Sequence, residues 1–480
     1  MELERVDATT WRVPVGTVPG MRVPGLVFAS QALVDKAVED RAVLQVANVA
    51  TLPGIVGASY AMPDIHWGYG FPIGGVAATD ADEGVISPGG VGFDIACGVR
   101  LLRSDLEWAT DVRPVIEELV AVLGARVPRG TGTKGRMRLS RSETEKVLRE
   151  GVRYPLSRGI GFEEDAERCE DEGALEGARL EHVSEKALAR GAPQLGSLGA
   201  GNHFVEVQVV DDIVDSRAAN VLGLFEGQVC VMIHSGSRGL GHQVCTDHLR
   251  VMDRLMPELN IEVPDRQLAC VPLSHPAAER YVGAMQAAAN FARANRHVLA
   301  DAIRDAFQEV FRRSAGELGL FLVYDVSHNL ASFEEFDLGA GLRTLCVHRK
   351  GATRSLGPDD PRLPAAYLDV GQPVIIPGSM GTASYVLVGT RESRERALSS
   401  TCHGAGRAMS RTKAKKVMTG PELAGKLAEQ GIALAPAHMG LLSEEAPHAY
   451  KDVSEVVRVC EEARLSRIVA RLRPVGVVKG

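Results

Sequence analysis

Gly89-Gly90-Val91-Gly92-Phe93-Asp94-Ile95-Ala96-Cys97-Gly98 is a glycine-rich stretch that carries one carboxylate and one thiol three residues apart. Glycine adopts backbone angles that other residues resist, so a tight turn here would aim Asp94 and Cys97 at a common point. A hard oxygen donor beside a soft sulfur donor favours a borderline metal such as Mn, Zn, Co or Fe over Mg or Ca. The alternative is an ordinary turn with a buried cysteine. The choice depends on whether the chain folds so that other metal-binding side chains converge on this loop.

The composition is that of an ordinary globular protein of 480 residues, 45% hydrophobic and 24% charged. The net charge of −7 argues against binding of polyanions by the whole surface, but it leaves room for a local basic groove. The start of the sequence is charged and lacks an apolar core of signal-peptide length, and no later segment approaches a membrane span. Eight cysteines without a CxxC spacing are typical of reduced thiols. We therefore expect a cytoplasmic protein that does not contact a membrane.

Hydrophobic spacing predicts several helices outside the loop. One is expected near Ser30–Ala50, a second over Val112–Leu123, and a long Ala-rich helical region from about Ala277 to Leu318 with at most one break. Residues 162–190 are acidic and are also expected to be helical, with Glu163-Glu164-Asp165 on a solvated face.

The segment before the loop carries an aspartate and a histidine. Residues 52–102 are rich in glycine and nearly free of basic residues, which favours loops and strands over helix. Within them, Asp64 and His66 precede the loop by about the length of a strand hairpin. They are interpreted either as a turn cap and a polar loop residue, or as groups that support the metal ligands from behind.

Three apolar runs of strand length each carry a histidine at one edge, namely His203, His234 and His328. A histidine where a buried strand meets a loop is held rigidly and stays reachable, which suits metal ligation. Any one of them alone is more often structural, but three of them together with Asp94 and Cys97 favour a metal site. A mononuclear site seldom needs five such ligands, whereas a thiolate that bridges two ions would use them all. Two metals indicate phosphoryl chemistry.

Side-chain alternation along the first of these strands predicts a second subsite. His203 falls on one face with Val205 and Val207, while Asn202, Phe204 and Glu206 fall on the other. The histidines that lack a comparable context are expected to be structural or on the surface; they are His182, His248, His275, His297, His348, His438 and His448.

The C-terminal third contains a glycine turn and a further histidine. Residues 373–387 read as strand, glycine turn and strand, which is either a cradle for phosphates or an ordinary hairpin. His403 lies in a loop of small residues just before a basic run that includes Arg407 and Arg411. An imidazole can attack phosphorus, and the two arginines could neutralise a triphosphate. The alternatives are that His403 is a sixth metal ligand or a helix cap, and spacing does not decide between them.

Four motifs together resemble one known family. They are Gly92-Phe93-Asp94-Ile95-Ala96-Cys97-Gly98, Gly199-Ala200-Gly201-Asn202-His203-Phe204, His234-Ser235-Gly236-Ser237-Arg238-Gly239 and Cys402-His403-Gly404-Ala405-Gly406-Arg407. The chain resembles the RtcB-type RNA-splicing ligases from about Pro63 to Gly480. Trp67 departs from the family pattern, where a smaller residue or proline is expected.

The resemblance implies a set of site residues. Asp94, Cys97 and His203 would hold one Mn²⁺ and Cys97, His234 and His328 the other, with Cys97 bridging. His403 would be the residue that is guanylylated. The GTP site would comprise Asn202, Phe204, Glu206, Pro377, Gly378, Ser379, Met380, Ser384, His403, Gly404, Ala405, Gly406, Tyr450 and Lys479, with Tyr450 as a stacking ring.

The implied activity is GTP-dependent joining of RNA 3′-phosphate or 2′,3′-cyclic phosphate ends to 5′-hydroxyl ends, through a histidine–GMP and an RNA-ppG end. The substrates would be tRNA halves or broken RNA, and an archease-type activator is a candidate partner. Candidates for lining the RNA path are Arg238, Arg349, Lys350, Arg354 and Arg411. The same ligands would also suit a dinuclear-metal phosphoesterase acting on RNA ends, and a third reading is a non-catalytic RNA-binding or scaffold protein.

The expected fold class is α+β, with a central β core and peripheral helices. The proposed ligands span Asp94 to His403 and the nucleotide site reaches Lys479, so no domain boundary can fall between them without splitting the site. Residues 1–480 are therefore expected to form a single integrated catalytic domain.

Overall fold

Two large β-sheets and one long buried helix organise the chain, of which the computed structural model describes residues 2–339 and 341–480. The strands are β1 (Glu4–Arg5), β2 (Thr10–Val13), β3 (Gly25–Phe28), β4 (Ile55–His66), β5 (Ile73–Asp80), β6 (Val85–Ile86), β7 (Gly98–Glu107), β8 (Phe204–Ile213), β9 (Gln228–Ser235), β10 (Val271–Pro272), β11 (Phe321–Ser327), β12 (Asn329–Asp337), β13 (Leu342–Lys350), β14 (Thr353–Arg354), β15 (Pro373–Ile376), β16 (Ser384–Gly389), β17 (Ser400–Thr401), β18 (Ala433–Pro436) and β19 (Ser466–Lys479). The α-helices are α1 (Gln31–Glu39), α2 (Ala42–Val49), α3 (Ile116–Arg126), α4 (Arg141–Glu150), α5 (Arg153–Ser157), α6 (Glu185–Gly191), α7 (Ser216–Leu222), α8 (Arg238–Leu255), α9 (Pro276–Phe311), α10 (Ser393–Ala397), α11 (Arg411–Val417), α12 (Gly420–Glu429), α13 (Met439–Leu442) and α14 (Val453–Glu462).

The two large sheets divide most of the strands between them. One has the order β1-β2-β3-β4-β5-β13-β12, and the other has the order β11-β7-β9-β8-β19-β16-β15, with β18 added beside β19. The end strands β11 and β15 of the second sheet also contact each other, so this sheet nearly closes on itself. Helices pack around both sheets, which confirms the expected α+β class with a β core. No helix in the described part of the chain has the length and hydrophobicity that crossing a membrane requires.

Strand register in the second sheet places the expected ligands at one end of four adjacent strands. His234 on β9 lies opposite both Val99 on β7 and Phe204 on β8. At the same level, Ser327 at the end of β11 pairs with Gly98 at the start of β7. The residues next to these positions in sequence, Cys97, His203 and His328, are therefore brought together by backbone pairing.

Helix α9 confirms the long helix that the sequence predicts, but it ends at Phe311, seven residues before Leu318, and it is deeply buried. Pro276 occupies its first turn, where a missing backbone N–H costs nothing, and the helix runs without a break to Phe311. The break allowed for between Ala277 and Leu318 is therefore absent. Most residues between Ala277 and Phe307 are buried, so α9 passes through the protein interior and does not merely flank a sheet. The many alanines on this helix permit close packing on several sides.

The other helical predictions are confirmed with shifted boundaries. The region near Ser30–Ala50 forms two helices, α1 and α2, because Arg41 between them adopts a left-handed conformation with φ of 61°. The region Val112–Leu123 begins with tight turns and becomes α-helical only at Ile116.

The prediction for residues 162–190 is wrong in two respects. The segment consists mainly of short 3₁₀ turns, with α-helix only from Glu185, and Asp165 and Glu170 are buried. The reason lies in α9, whose Arg304 donates two hydrogen bonds to Asp165 at 2.6 and 2.8 Å. A buried guanidinium needs a carboxylate partner, and this acidic segment supplies it.

Replacing Arg304 with methionine is expected to lower the free energy of unfolding by about 3–5 kcal/mol, because Asp165 would remain buried without its partner. Urea unfolding monitored by circular dichroism measures this change. The matched control is Arg126→Met. The partner of Arg126, Glu309, also lies on α9 but is half-exposed, so this variant should lower the free energy of unfolding by less than about 1 kcal/mol. Equal losses in the two variants would contradict the buried ion pair as a main source of stability.

Candidate metal and nucleotide site

A cavity of about 400 Å³ opens at the ligand-bearing end of the second sheet. Its walls also come from the β15–β16 turn and from the loop that follows β17. The expected site residues on its wall are Asp94, Cys97, Asn202, Phe204, His234, His328, Pro377, Gly378, Ser379, Met380, His403, Gly404, Ala405, Gly406, Tyr450 and Lys479. His203 lies beside this cavity, on the wall of a second groove of about 670 Å³ that shares Asp94 and Asn202 with it.

Five donor atoms form a continuous chain with Cys97 in the middle. On one side, Cys97 Sγ lies 3.4 Å from His203 Nε2, which lies 3.1 Å from Asp94 Oδ2. On the other side, Cys97 Sγ lies 3.3 Å from His234 Nε2, which lies 3.4 Å from His328 Nε2. Cys97, His203 and His234 converge closely enough to hold one ion. The structure therefore brings together all five residues that were expected to bind metal.

The protonation states of this chain suit metal binding. Burial holds the pKa of His234 and of His328 well below its usual range, so both rings are neutral, as ligands must be. His203 directs Nδ1 to the carbonyl oxygen of Leu198 at 2.9 Å, which leaves Nε2 facing Cys97. Burial and the neighbouring Asp94 raise the pKa of the Cys97 thiol, so a cation is needed to stabilise the thiolate.

Asp94 is held in place from two sides. Burial opposes its ionisation, but the contact with His203 and the charge of Arg238 hold the pKa of Asp94 well below its usual range. The Ser237 backbone N–H donates to Asp94 Oδ1 at 2.9 Å. A Cβ atom at Gly236 would lie 2.4 Å from both carboxylate oxygens, so only glycine permits this approach.

His403 is oriented by a buried carboxylate. Its Nδ1 lies 2.6 Å from Asp64 Oδ2, and the backbone N–H groups of His403 and Gly404 donate to the same oxygen at 2.9 and 3.3 Å. The His403 ring packs edge-on against His328, with 4.9 Å between ring centroids. Asp64 is thus a partner of His403 and not a turn cap. His66, on the cavity wall, directs Nδ1 to the Asp64 carbonyl oxygen at 2.9 Å.

A cationic region surrounds Glu445 on the cavity wall, a residue that sequence reasoning missed. Arg407 and Arg411 donate to the Glu445 carboxylate at 2.9 and 3.0 Å, and the Tyr450 hydroxyl donates to it as well. Lys479 lies 5.8 Å from the centre of the Phe204 ring and donates to the His203 carbonyl oxygen at 3.1 Å. Glu444 also lies 3.7 Å from Arg411, so two carboxylates face three cations here and the region keeps an excess of positive charge that suits an anion.

Some expected residues lie elsewhere. Glu206 and Ser384 sit behind the cavity wall, where Gln208 donates to both at 2.7 and 2.9 Å. The expectation that Arg349 and Arg354 line an RNA path is wrong, because both are buried in ion pairs. Trp67, the departure noted in the sequence, is 48% exposed.

Lys350 does reach the cavity wall, as expected, and it is unusually placed for a lysine. Its Nζ donates to the carbonyl oxygens of Tyr69 and Phe71, the latter at 3.2 Å. Burial lowers the pKa of Lys350 to about 7. This lysine therefore differs from the solvated cations that usually contact a nucleic acid.

Comparison with known proteins agrees with this geometry. A family model described as tRNA-splicing ligase RtcB matches residues 45–480. The chain belongs to this family. Proteins named tRNA-splicing ligase RtcB from Archaeoglobus fulgidus and Thermococcus kodakarensis are 53% and 51% identical to it, over 100% of this chain and 99% of their own length. A protein named RNA-splicing ligase RtcB from Mycobacterium tuberculosis is 53% identical over 91% of this chain and 100% of its own length. Membership confirms the resemblance and the expected enzyme class, an RNA ligase.

Two further residues of this RtcB-family chain, adjacent on α9, connect the segments that carry the donors. Arg296 Nη1 donates to the carbonyl oxygens of Ala96, at 2.7 Å, and Ser235, at 3.0 Å. Its Nε and Nη2 bind the two oxygens of Asp325 on β11, at 2.9 and 2.6 Å. One guanidinium therefore fixes the residue before Cys97, the residue after His234 and the strand that leads to His328.

The neighbouring Asn295 holds the segments that position His203 and Asp94. Its side-chain oxygen accepts from the backbone N–H groups of Gly196 and Ser197, and its nitrogen donates to the carbonyl oxygens of Ser197 and Gly236. The first of these segments leads to Leu198, the partner of His203, and the second packs on Asp94. No sequence pattern pointed to Asn295 or Arg296.

Replacing Arg296 with methionine is expected to weaken Mn²⁺ binding about 10- to 100-fold. The carbonyl groups of Ala96, before Cys97, and of Ser235, after His234, would lose the guanidinium that donates hydrogen bonds to both. Competition with a chelator measures the affinity. Asp325 keeps a partner in Arg100, whose Nε donates to it at 2.7 Å, so this variant leaves no unpaired carboxylate. The control is Arg293→Met on the same helix, since Arg293 is equally buried but binds Asp171, away from the donors. An equal effect of both variants would point to general destabilisation of α9.

Proposed function

We propose that this protein is a GTP- and Mn²⁺-dependent ligase that joins RNA 3′-phosphate or 2′,3′-cyclic phosphate ends to 5′-hydroxyl ends through a guanylylated histidine. The observation that carries this proposal is the placement of His403. Its ring is oriented by the buried Asp64 and packs against His328, the last residue in the chain of metal donors. A nucleophile for phosphorus thus lies next to a site for cations, on the wall of a cavity.

The hydrogen bond to Asp64 supports different roles for the two ring nitrogens of His403. Because Nδ1 carries the proton that is donated to Asp64, Nε2 keeps its lone pair for attack on the α-phosphorus of GTP. An N–P bond forms and pyrophosphate leaves. A 2′,3′-cyclic phosphate end must first be opened by water, which breaks the P–O2′ bond and leaves a 2′-hydroxyl and a 3′-phosphate. An oxygen of the RNA 3′-phosphate then attacks the α-phosphorus carried by His403, which breaks the N–P bond and gives an RNA-ppG end. The 5′-hydroxyl of the second RNA loses its proton and attacks the 3′-phosphorus, releasing GMP.

Two Mn²⁺ ions fit the donor set better than one. Cys97 stands at the centre of the donor chain, with an aspartate and a histidine on one side and two histidines on the other. A thiolate in that position can be shared between two ions, each of which then has two donors of its own. Bound Mn²⁺ would neutralise the anionic oxygens that each step brings together.

The GTP site would lie between the donor chain and the region around Glu445. Burial raises the pKa of Glu206 to about 7, and one of its carboxylate oxygens has no hydrogen-bond partner among the described residues. An unpaired buried acceptor suits the N–H groups of a guanine, but Glu206 lies behind the cavity wall, so the base would have to reach past that wall to contact it. Tyr450 would stack on the base, Lys479 and the turn 377–380 would contact the phosphates, and the small residues after His403 would let GTP approach closely.

The origin of the site residues supports the expected domain organisation, and the Asp64–His403 pair favours the ligase over the alternative enzyme. Site residues come from both large sheets and from the C-terminal strand, which supports one catalytic domain over residues 1–480. A dinuclear-metal phosphoesterase would use the same five donors to activate water, but it gives no role to the Asp64–His403 pair. An archease-type activator, tRNA halves as the substrate and a cytoplasmic location stay predictions.

Incubation with Mn²⁺ and GTP radiolabelled at the α-phosphate is expected to give an acid-labile covalent label in the wild-type protein and none in His403→Ala. Asp64→Asn should keep the nucleophile but slow labelling about 10²- to 10⁴-fold, since the ring tautomer is no longer fixed. Gel electrophoresis of the denatured protein quantifies the label.

Three outcomes of this experiment separate the hypotheses. A label that survives His403→Ala would exclude His403 as the nucleophile. Absence of label in a wild-type protein that has bound Mn²⁺ would favour the phosphoesterase. A His448→Ala variant, altered at a histidine outside the cavity wall, should label like the wild type and so controls for unspecific effects.

Elemental analysis of protein loaded with Mn²⁺ is expected to find two ions per chain. Cys97→Ser should hold less than one, because serine does not supply a thiolate to share between two sites. Cys230→Ser is the matched control, since Cys230 is a buried cysteine on β9, the strand of His234, but does not belong to the donor chain. Full occupancy in Cys97→Ser would contradict the bridging role.

A further inference from the structure

Three aromatic rings form a continuous exposed row beside the cavity, which we call the aromatic strip: Tyr69, Phe93 and His242. The Tyr69 and Phe93 rings meet edge to face with 5.3 Å between centroids, and Phe93 stacks on His242 at 5.0 Å with 29° between the ring planes. Tyr69 is 37% exposed, His242 is exposed and Phe93 is half-buried. Rings that served only to pack the interior would be covered, so the exposure of this row needs another explanation.

The strip connects the two concave regions of the site. Tyr69 and Phe93 lie on the wall of the 400 Å³ cavity that contains His403, while Phe93 and His242 lie on the wall of the neighbouring 670 Å³ groove that contains His203. The donor chain from Asp94 to His328 lies along the same boundary. An extended ligand that reaches from the groove to His403 along Phe93, one of the residues that line both regions, would contact the strip.

The charge of the groove identifies the class of ligand. Arg190 and Arg238 lie on its wall, and in residues 2–339 and 341–480 no carboxylate lies within 4.0 Å of either guanidinium. Arg190 instead donates to the side-chain oxygen of Gln243, and Arg238 donates to Ser197. Elsewhere in the protein, buried arginines such as Arg296 and Arg304 each have a carboxylate partner. Unpaired cations beside exposed rings are the combination that binds single-stranded nucleic acid.

We propose that the aromatic strip is a stacking site for the unpaired nucleobases of the RNA next to the ends being joined, while Arg190 and Arg238 hold the adjoining phosphates. This inference rests on the proposed function, because it assumes an RNA end at His403. Stacking fits a ligase that acts on broken ends of differing sequence, since every base presents an aromatic face. It also holds the terminal nucleotide beside the donor chain without reading its hydrogen-bonding edge.

The test compares intact RNA with RNA that lacks one base. Short single-stranded RNAs are prepared with a 3′-phosphate or a 5′-hydroxyl end, each either intact or abasic at the terminal nucleotide, and binding to the Mn²⁺-loaded protein is measured by fluorescence anisotropy. His242→Ala and Tyr69→Ala are expected to bind at least one intact RNA about tenfold more weakly than the wild type. For the corresponding abasic RNA, the variants and the wild type should bind alike.

Matched variants separate stacking from charge and from folding. Arg190→Ala should weaken intact and abasic RNA equally, because it removes a phosphate contact. His242→Phe and Tyr69→Phe should restore binding, because they keep a ring. Phe225→Ala changes an exposed aromatic residue outside both walls and should have no effect.

The outcomes that overturn the inference differ from those that overturn the proposed function. The aromatic strip is not a stacking site if alanine at Tyr69 and His242 leaves binding of intact RNA unchanged, or weakens intact and abasic RNA to the same extent. Covalent labelling with GTP needs no RNA and should stay within about twofold of wild type in His242→Ala. Loss of labelling in the wild-type protein would remove the proposed function whatever the RNA measurements show.

Discussion

The guanidinium of Arg296 lies where the three segments that carry Cys97, His234 and His328 meet, and the candidate metal site depends on this one group. It binds both oxygens of Asp325 and the carbonyl oxygens of Ala96 and Ser235, all within 3.0 Å. Ala96 has a φ of 51°, a conformation that is unfavourable for alanine and that turns Cys97 toward the histidines. The hydrogen bond to its carbonyl oxygen helps to hold this strained peptide. Backbone pairing brings the donors to one level, and Arg296 fixes their relative positions.

Burial gives this arrangement its chemical character. Buried charges are costly unless every polar group is satisfied, and Arg296 and Asp325 meet that condition, with Arg100 as a second partner of the carboxylate. Around Cys97 the same burial disfavours the negatively charged thiolate. Arg296 favours the thiolate, but burial and Asp94 prevail and raise the pKa of the thiol. A cation bound at this candidate site would therefore have to displace the proton of Cys97.

The donors could be predicted from the sequence because each has a local signal. Cys97 stands in a glycine-rich loop, and His234 ends an apolar run that forms a buried strand. The partners of these residues lack such a signal. Asp64 and His403 are 339 positions apart, and their contact exists only once the first sheet meets the loop after β17. Arg296 looks like any polar residue on a long helix, and its role depends on the burial of α9. The acidic segment 162–190 was misread for the same reason, since its buried carboxylates have their partner arginines far away in sequence.

The distribution of arginines restricts how RNA can be bound. Arg100, Arg293, Arg296, Arg304, Arg349 and Arg354 are buried, so they organise the interior and cannot contact phosphates. The protein has a net charge of −7, and two arginines on the cavity wall, Arg407 and Arg411, are paired with Glu445. Binding that relied on many phosphate contacts would need a broad basic surface and would weaken steeply with salt. Short-range interactions at an RNA end, such as the stacking proposed above, suit an acidic protein better than many phosphate contacts do.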